Sequence, residues 1–382
     1  MKVSRVRALV VVGVLGVIAA ASACNPQPAP GPTAPPGPNG PLVAAPGGVS
    51  SMTSDGKKLA VSSSVTPIRV WDRTANTTTP VTDTVPSTTG IGLRNGPVIS
   101  GNGSKVAWTG YFHTNGSIDG KPRYGVTPVV YDRTTGVTKS LPTAGIPTDV
   151  DFADIAMPDD GSFLAVERKS SISDDLTVEL VIWNLVTDQV TSTGLTAVQT
   201  YTSSGQVSVS DNGRYVQFER SVWDRQTNQV TALSLPGAQG YDNAGLSGNG
   251  RYFAFNSRPD SNYHSYRPSV WDRQTNTFKS APLGFDGQPL NDQTYVSAIS
   301  DDGATAVVAS AATNVVAGDT NGQFDTFVWN LKTNTFRRLL GPGGVEPNGS
   351  VYGTVISGNA KVIAGTSNAT NIGVNGSFVW TE

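Results

Sequence analysis

Residues 247–255 are Ser-Gly-Asn-Gly-Arg-Tyr-Phe-Ala-Phe, and residues 269–276 are Ser-Val-Trp-Asp-Arg-Gln-Thr-Asn. An Asn-Gly pair beside an apolar run is a strong hairpin signal, because both residues tolerate the positive φ that a tight turn needs. The alternating apolar residues after it predict a half-buried strand. Trp271 marks a second strand, and the Thr-Asn pair predicts a further turn. This stretch therefore predicts antiparallel strands joined by short turns.

The same pattern recurs seven times along the chain. Each copy has four predicted strands, which we call A before the Asp/Asn-Gly turn, B after it, C with the aromatic residue and D after the polar turn. Helix-free repeats of four antiparallel strands are typical of propeller blades, so the sequence predicts an all-β, seven-bladed β-propeller. A β-sandwich is the alternative, although its strands do not normally recur as such quartets. The A–B turns lie at residues 55–56, 102–103, 160–161, 212–213, 249–250, 302–303 and 359–360.

The two ends of the repeat region predict how the ring closes. The seventh copy stops at Glu382, directly after its C strand, and lacks a D strand of its own. Residues 41–45 precede the first A strand and could fill that place. Pairing them beside Trp380 would remove an open sheet edge. We therefore expect an N-terminal strand to complete the last blade.

The turn, the apolar B strand and the aromatic-Asp C strand together resemble the repeats of bacterial TolB-like and WD-like β-propeller proteins. The resemblance covers all seven copies, and its best match is the segment 311–329, Ala-Ala-Thr-Asn-Val-Val-Ala-Gly-Asp-Thr-Asn-Gly-Gln-Phe-Asp-Thr-Phe-Val-Trp. That segment is similar to a variant found in exported bacterial propellers. The resemblance implies a propeller fold and export, as in the lipoprotein type, and it implies no single activity.

Residues 1–23 predict a signal peptide. A basic start precedes an apolar run from Ala8 to Ala20, which is shorter than the roughly 20 residues of a membrane span. Cys24, the one cysteine of the chain, follows Ala-Ser-Ala and is predicted to carry a lipid that anchors the protein to a membrane. An ordinary cleavage site, followed by free secretion, is the alternative. Either way, we expect an extracytoplasmic protein.

Composition divides the rest of the chain into two parts. Residues 24–40 are dominated by Pro, Gly, Ala and Asn, so they cannot bury apolar surface and predict an extended tether. Residues 41–382 are left for the propeller. The formal net charge is −2, with no basic block, so charge gives no support for nucleic-acid binding.

The connections between strands predict where a site would lie. In such a ring, the A–B and C–D turns share one face, and the B–C and D–A connections share the other. The B–C connections vary widely in length, which favours function on their face because sites are built on loops of a rigid scaffold. Drift of unconstrained loops is the alternative. The candidate ligand-binding residues of this face are Tyr111, His113, Arg123, Tyr124, Arg258, Tyr263, His264, Tyr266 and Arg267.

Aromatic and arginine side chains suit the recognition of a protein, peptide or glycan. The sequence therefore favours a non-catalytic binding or scaffolding module whose partner is an envelope protein or glycan. It names no catalytic residue, since it lacks a Gly-x-Ser-x-Gly elbow and a His-Glu-x-x-His motif. A propeller enzyme of the polysaccharide lyase or glycoside hydrolase type, acting at the central channel with carboxylates or one histidine, is the alternative.

Two further polar patterns are the spaced oxygen ligands of residues 319–325 and the aspartates that follow an aromatic residue in several C strands. Asp319, Asn321 and Asp325 space oxygen ligands partly as a calcium loop does, without its distal glutamate. A bound calcium ion is one interpretation and an ordinary Asx turn is the other; no other cofactor is expected. The aspartates of the Trp-Asp-Arg triplets recur at one position in several copies, so we expect them to cap turns and form local salt bridges.

Overall fold

The computed structural model describes residues 42–62, 68–81, 88–90, 96–118, 121–142, 150–170, 177–198, 207–234, 240–258 and 266–382. These residues form seven antiparallel sheets arranged as the blades of a ring, which confirms the predicted seven-bladed propeller. Within the described ranges, the one helical element is a 3₁₀ turn at Pro342–Gly344, and no helix is long and apolar enough to cross a membrane. The predicted signal peptide, Cys24 and the tether lie outside the described residues.

In every blade the strands pair in the order A, B, C, D, and most A strands contact the A strand of the next blade, so the A strands lie at the centre of the ring. The strands of blades 1 to 3 are Gly48–Met52, Lys58–Ser62, Arg69–Asp72 and Thr77–Pro80; Thr88–Gly90 with Val98–Ile99, Lys105–Ile118, Lys121–Asp132 and Val137–Ser140; and Val150–Ala156, Phe163–Ser170, Thr177–Asn184 and Gln189–Val198. Blade 2 differs in that two short A segments pair with one long B strand.

Blades 4 to 6 follow the regular pattern. Their strands are Val207–Val209, Tyr215–Phe218, Ser221–Asp224 and Gln229–Ala232; Gly240–Leu246, Tyr252–Arg258, Arg267–Asp272 and Thr277–Ser280; and Thr294–Ile299, Thr305–Ser310, Asp325–Asn330 and Thr335–Arg338. In blades 5 and 6 the A strand carries a register shift near its middle, as it also does in blades 1, 3 and 7.

Blade 7 joins the two ends of the described chain. Its A, B and C strands are Val351–Ile356, Val362–Ser367 and Gly376–Thr381, and its D strand is Leu42–Ala44. The register pairs Leu42 with Trp380 and Ala44 with Phe378. The predicted closure by residues 41–45 beside Trp380 is therefore confirmed.

Six of the seven A–B turns are held by a serine or threonine at their first position. Ser100 donates a hydrogen bond through Oγ to Asn102 Oδ1 at 2.8 Å, and the same Oγ accepts one from the amide of Lys105 at 3.0 Å. Gly103 then takes a φ of +73°, which explains why a glycine follows the asparagine. Blade 3 has Pro158 in place of the hydroxyl residue.

The aspartates of the Trp-Asp-Arg triplets cap turns, as expected. Asp224 Oδ1 accepts a hydrogen bond from the amide of Gln226 at 3.0 Å, and the same carboxylate forms an ion pair with Arg214 at 2.7 Å. Asp72, Asp132 and Asp272 likewise form an ion pair with a basic residue at the start of the B strand of their own blade or directly before it. These residues belong to the scaffold rather than to a site.

The core lies between neighbouring blades and combines many aliphatic side chains with fewer large aromatic ones. Five tryptophans are fully buried, and each removes roughly 150–250 Å² from water. They are Trp108, Trp183, Trp271, Trp329 and Trp380.

Candidate functional site

The topology defines two faces. The A–B and C–D turns lie on the turn face, and the B–C and D–A connections lie on the loop face, because successive strands of each blade are antiparallel. A strands start at the loop face, and so do C strands. Residues at these starts are therefore brought together whatever their separation in the sequence.

Four aromatic rings form a continuous series on the loop face, which we call the aromatic arc: Tyr266, Tyr295, Phe324 and Tyr352. The ring centroids are 5.2 Å apart for Tyr266 and Tyr295, 6.3 Å for Tyr295 and Phe324, and 5.0 Å for Phe324 and Tyr352. All four side chains are partly exposed. The arc spans blades 5, 6 and 7.

The fold positions each ring of the aromatic arc at the start of a strand. Tyr295 and Tyr352 are the second residues of the A strands of blades 6 and 7. Tyr266 and Phe324 directly precede the C strands of blades 5 and 6. Both kinds of strand are anchored by buried neighbours, so the rings are held by rigid elements rather than by loop tips.

Polar groups flank the aromatic arc at its blade 5 end. The Tyr266 hydroxyl donates a hydrogen bond to the carboxylate of Asp242, and the guanidinium of Arg258 lies 5.8 Å from the centroid of the Tyr266 ring. Tyr295 Oη donates to Gln293 Oε1 at 2.9 Å. Flat apolar rings and a few directed polar groups therefore meet in one place, as in small-ligand sites.

Burial sets the protonation of these groups. It raises the pKa of Tyr266, with a further contribution from Asp242, and it raises the pKa of Tyr295 to about 12. Burial also raises the pKa of Asp242, which the nearby Arg258 opposes. Both phenols are therefore neutral hydrogen-bonding groups near pH 7.

The structure brings together only some of the residues predicted from sequence. Arg258 and Tyr266 lie at the aromatic arc. Arg267 is exposed and lines a small cavity of about 70 Å³ beside Tyr266. Four of the other six residues lie in blade 2, where the backbone continues the B and C strands as a long hairpin in which His113 is paired with Tyr124. The side chains of Tyr111, His113, Arg123 and Tyr124, and residues Tyr263 and His264 as a whole, lie outside what the structure describes.

Sequence reasoning missed Tyr295, Phe324 and Tyr352. The signal was present, because Tyr295 and Tyr352 occupy the same position of consecutive repeats, five residues before the serine that starts the A–B turn. Loop length alone does not point to these residues, because they lie in strands or directly before them. The first residues of A strands nevertheless reach the loop face.

The loop face of blades 6 and 7 is cross-linked rather than loose. Asn291 Oδ1 accepts from the amide of Thr313, and Asn291 Nδ2 donates to Thr313 Oγ1, at 3.0 and 3.1 Å. Asn348 and Thr370 repeat both bonds one blade later, at 2.8 and 2.9 Å. Each D–A connection is thereby fixed to the B–C connection that follows it.

The segment predicted as a calcium loop contains a built-in cation. Arg338 Nη2 lies 3.5 Å from Asp319 Oδ1, 2.5 Å from Asp325 Oδ2 and 2.9 Å from Glu346 Oε1. Burial raises the pKa of Asp325 to about 7, which the guanidinium opposes. Asn321 donates to Asp325 Oδ2 at 3.2 Å. A calcium ion at Asp319, Asn321 and Asp325 would have to share these carboxylates with Arg338.

The turn face carries a second cluster that the sequence did not predict. Seven backbone hydrogen bonds of 2.8 to 3.2 Å link each A–B turn to the next around the ring. At the second turn position Asp159, Asp211 and Asp301 project over the glycines of adjacent turns: a Cβ at Gly358 would lie 1.6 Å from Asp301 Oδ2. We call these three carboxyl groups the aspartate hub.

Burial and mutual repulsion shift the aspartate hub towards protonation. Burial, followed by the charges of Asp301 and Asp159, raises the pKa of Asp211 to about 7. Burial, followed by the charge of Asp159, raises the pKa of Asp301 to about 6. The Asp159 carboxylate accepts from Ser54 Oγ at 2.8 Å. Across the described part of the chain, no group of three or more His, Cys, Asp or Glu side chains is arranged to hold a metal ion.

No protein-family model matches the chain, and no curated protein matches it in sequence. Among solved structures, oligogalacturonate lyase from Vibrio parahaemolyticus is similar with a TM-score of 0.56 and 11% identity, over 89% of this chain and 91% of that chain. An oligogalacturonate lyase in complex with manganese gives 0.55 and 12%, over 89% and 90%. TolB from Acinetobacter baumannii gives 0.42 and 12%, over 85% and 76%. At these identities the likeness to the two lyases, whose TM-scores exceed 0.5, shows a shared fold and nothing of activity.

Proposed function

We propose that this protein is an exported, non-catalytic binding propeller that holds a glycan on its loop face. The observation that carries the proposal is the aromatic arc, in which four partly exposed rings lie on rigid strand starts across three blades. Ring faces offer large contact area at low cost in conformational entropy. Export and the lipid on Cys24 are parts of the same proposal and rest on the sequence.

A glycan fits the polar groups as well as the rings. Sugars present an apolar face to stack on an aromatic ring and hydroxyl groups at the edge to pair with it. Asp242, Gln293 and the Tyr295 hydroxyl supply acceptors and donors beside the rings. These groups are fixed before binding, which lowers the entropy lost when a ligand is held.

The two phenols of the aromatic arc do not supply a general base. A general base near neutral pH needs a pKa close to 7, and the phenols of Tyr266 and Tyr295 have raised values instead. The alternative is a lyase or hydrolase acting at the central channel. It predicts that a bound glycan is cut and released as product.

The chain entry point is compatible with display of the aromatic arc. Leu42 begins the D strand of blade 7, and D strands start at the turn face. A tether at residues 24–40 would therefore join the propeller on the face opposite the arc. A lipid on Cys24 would then leave the loop face pointing away from the membrane.

Fluorescently labelled protein applied to an array of cell-wall and plant glycans tests the proposal. We expect one glycan class to bind, and we expect Tyr295→Ala to weaken its binding at least tenfold, a loss of about 1.4 kcal/mol. Val186→Ser is the matched control, because Val186 is 78% exposed on a C–D turn of the turn face.

Two outcomes would overturn the proposal. One is an array without any bound glycan, and the other is binding that Tyr295→Ala leaves unchanged. Release of shortened or unsaturated product from a bound glycan would replace it with the enzyme alternative.

A further inference from the structure

Four blades carry an arginine directly after the Trp-Asp or Tyr-Asp pair of the C strand, and each arginine bridges back to the A–B turn of its own blade. The acceptor is always the carbonyl of the turn glycine. The bonds are Arg73 to Gly56 at 2.9 Å, Arg133 to Gly103 at 2.6 Å, Arg225 to Gly213 at 2.7 Å and Arg273 to Gly250 at 2.9 Å.

Two of these arginines also cover an aromatic ring of the preceding blade. Arg225 lies 3.9 Å from the centroid of Phe163, and Arg273 lies 4.2 Å from the centroid of Tyr215. Tyr215 has a second guanidinium nearby, that of Arg214 at 4.9 Å. A guanidinium thus fills the crevice between blades by stacking on a ring and binding a carbonyl, both of which favour arginine.

Blade 6 has the same crevice without an arginine. Leu331 occupies the position, since its amide donates to Ala304 O just as the amide of Arg273 donates to Arg251 O. The ring on the preceding blade is Tyr252, the counterpart of Tyr215, and it lies 5.0 Å from Arg251. A leucine side chain supplies neither a cation for the ring nor a donor for the carbonyl of Gly303.

A cavity of about 260 Å³ lies at this place. Blade 5 contributes Tyr252, Phe278 and Asp272 among others, and blade 6 contributes Gly303 and Leu331. The volume exceeds that of an arginine side chain. Tyr215 and Gly250 hold a guanidinium at the blade 4–5 crevice. Their counterparts Tyr252 and Gly303 therefore surround an open space at the blade 5–6 crevice.

The charges of the lining do not exclude a cation. Lys279 and Lys332 are opposed by Asp272 and Asp302. Asp272 is already paired with Arg251, and the Lys279 ammonium donates to the carbonyl of Leu331, so both are directed at other partners. Asp302 lies next to Gly303 and is exposed.

We infer that this cavity is a binding site for a guanidinium group, the arginine side chain of a partner polypeptide. The bound group would stack on Tyr252 and donate to the Gly303 carbonyl, as Arg273 does on Tyr215 and Gly250. The site lies on the turn face, opposite the aromatic arc, so a peptide and a glycan would not compete for it. It is independent of the proposed glycan binding.

Titration of the full protein with N-acetyl-L-arginine amide, followed by the amide signals of Tyr252 and Gly303 in NMR spectra, tests the site. We expect saturable shifts with a Kd on the order of millimolar, as suits one side chain. N-acetyl-L-citrulline amide has nearly the same shape without the charge, and we expect no saturable shift with it. Equal binding of both compounds, or no shift with either, would overturn the inference.

Two variants make the test specific to this crevice. Leu331→Arg supplies the missing guanidinium from within the chain and should abolish binding of the arginine compound. Arg273→Leu empties the crevice between blades 4 and 5 and should add a second site, seen at Tyr215 and Gly250. Binding that persists in Leu331→Arg would contradict the inference. Should that variant not fold, retained binding in Tyr252→Leu would contradict it equally.

Discussion

Asp211 and Asp301 occupy a turn position where four other blades have glycine or serine. The choice of residue matters because seven turns meet at the centre of one face, so a carboxyl group on one turn meets the carboxyl group of another. Asp211 donates a hydrogen bond to Asp301 when it is protonated. The pair therefore holds a proton at a pH where isolated aspartates have lost theirs.

This pair makes stability depend on pH. Both folded-state pKa values, about 7 and about 6, lie above the unfolded value of roughly 3.9. The folded state therefore binds more protons than the unfolded state, and its stability is full below pH 4 and lost as pH rises through 6 and 7. We expect the free energy of unfolding in urea to fall by about 1 kcal/mol between pH 5 and 8, less than the pKa shifts alone would give because the carboxyls are partly exposed.

Asp211→Asn should make that fall smaller, since the amide keeps the hydrogen bond and cannot ionise. The raised pKa of Asp325 accounts for a part that remains. Asp292→Asn is the control, because Asp292 is an exposed carboxylate of the loop face. This variant should keep the fall in the free energy of unfolding. An unchanged pH dependence in Asp211→Asn would show that the hub does not hold the proton.

Arg338 carries the largest expected effect of a single side chain. Its guanidinium lies among Asp319, Asp325 and Glu346, and its side chain is 6% exposed. Arg338→Met should lower the free energy of unfolding by about 3–5 kcal/mol, because it leaves buried carboxylates without a counter-charge. Arg337→Met is the matched control: Arg337 pairs with Glu382 and lies 4.9 Å from the centroid of the Trp380 ring, so its loss should cost about 1–2 kcal/mol.

Calcium can be tested in the same melting experiments. Because Arg338 already lies among the carboxylates, we expect the Tm of the unmodified protein to be the same in calcium and in chelator. A calcium-dependent rise would favour the ion predicted from sequence.

At the level of strands and turns, a pair of residues five apart fixes five of the six C–D turns that the structure describes; blade 2, with Tyr131 and Gly136, is the exception. Trp271 Nε1 donates to Asn276 Oδ1 at 3.0 Å, and Asn276 has a φ of +53°. The same pair occurs at Trp71, Trp183, Trp223 and Trp329, with Asp188 in place of asparagine in blade 3. The residue must therefore accept a hydrogen bond and adopt the left-handed region.

Substitution of Asn276 separates these two demands. Asn276→Gly keeps the backbone conformation and loses the hydrogen bond, at a cost of about 1 kcal/mol. Asn276→Ala loses both and should cost about 2 kcal/mol. Chemical unfolding of the two variants measures the difference, and equal losses would contradict a role for the positive φ.

The strand pattern was predictable from sequence because each copy repeats its own local signals. Turn residues and the aromatic position placed A, B, C and D strands in every blade. The aromatic arc and the aspartate hub were not predicted, since each is assembled from equivalent positions of different repeats. Tyr295 and Tyr352, or Asp211 and Asp301, are neighbours only once the ring has formed.

For the molecule as a whole, the closed ring sets the relation between its surfaces. It places the aromatic arc on the loop face and the aspartate hub, the arginine-free crevice and Leu42 on the turn face. The closure depends on pairing residues from opposite ends of the described chain, which the missing D strand of the seventh copy and the apolar residues 41–45 predicted. The ring therefore determines which residues of different repeats meet at each site.

Closure by the N-terminal strand is the claim on which the positions of all these sites rest, and a disulfide tests it directly. Val43 and Val379 are partners in the blade 7 register. Opposite residues of an antiparallel pair lie about 4.5–5.5 Å apart at Cα, within the range that a disulfide spans. In Val43→Cys/Val379→Cys, with Cys24→Ser, we expect an intramolecular disulfide in the monomer and a raised Tm. Free thiols after oxidation, or a disulfide only between two chains, would contradict the closed ring.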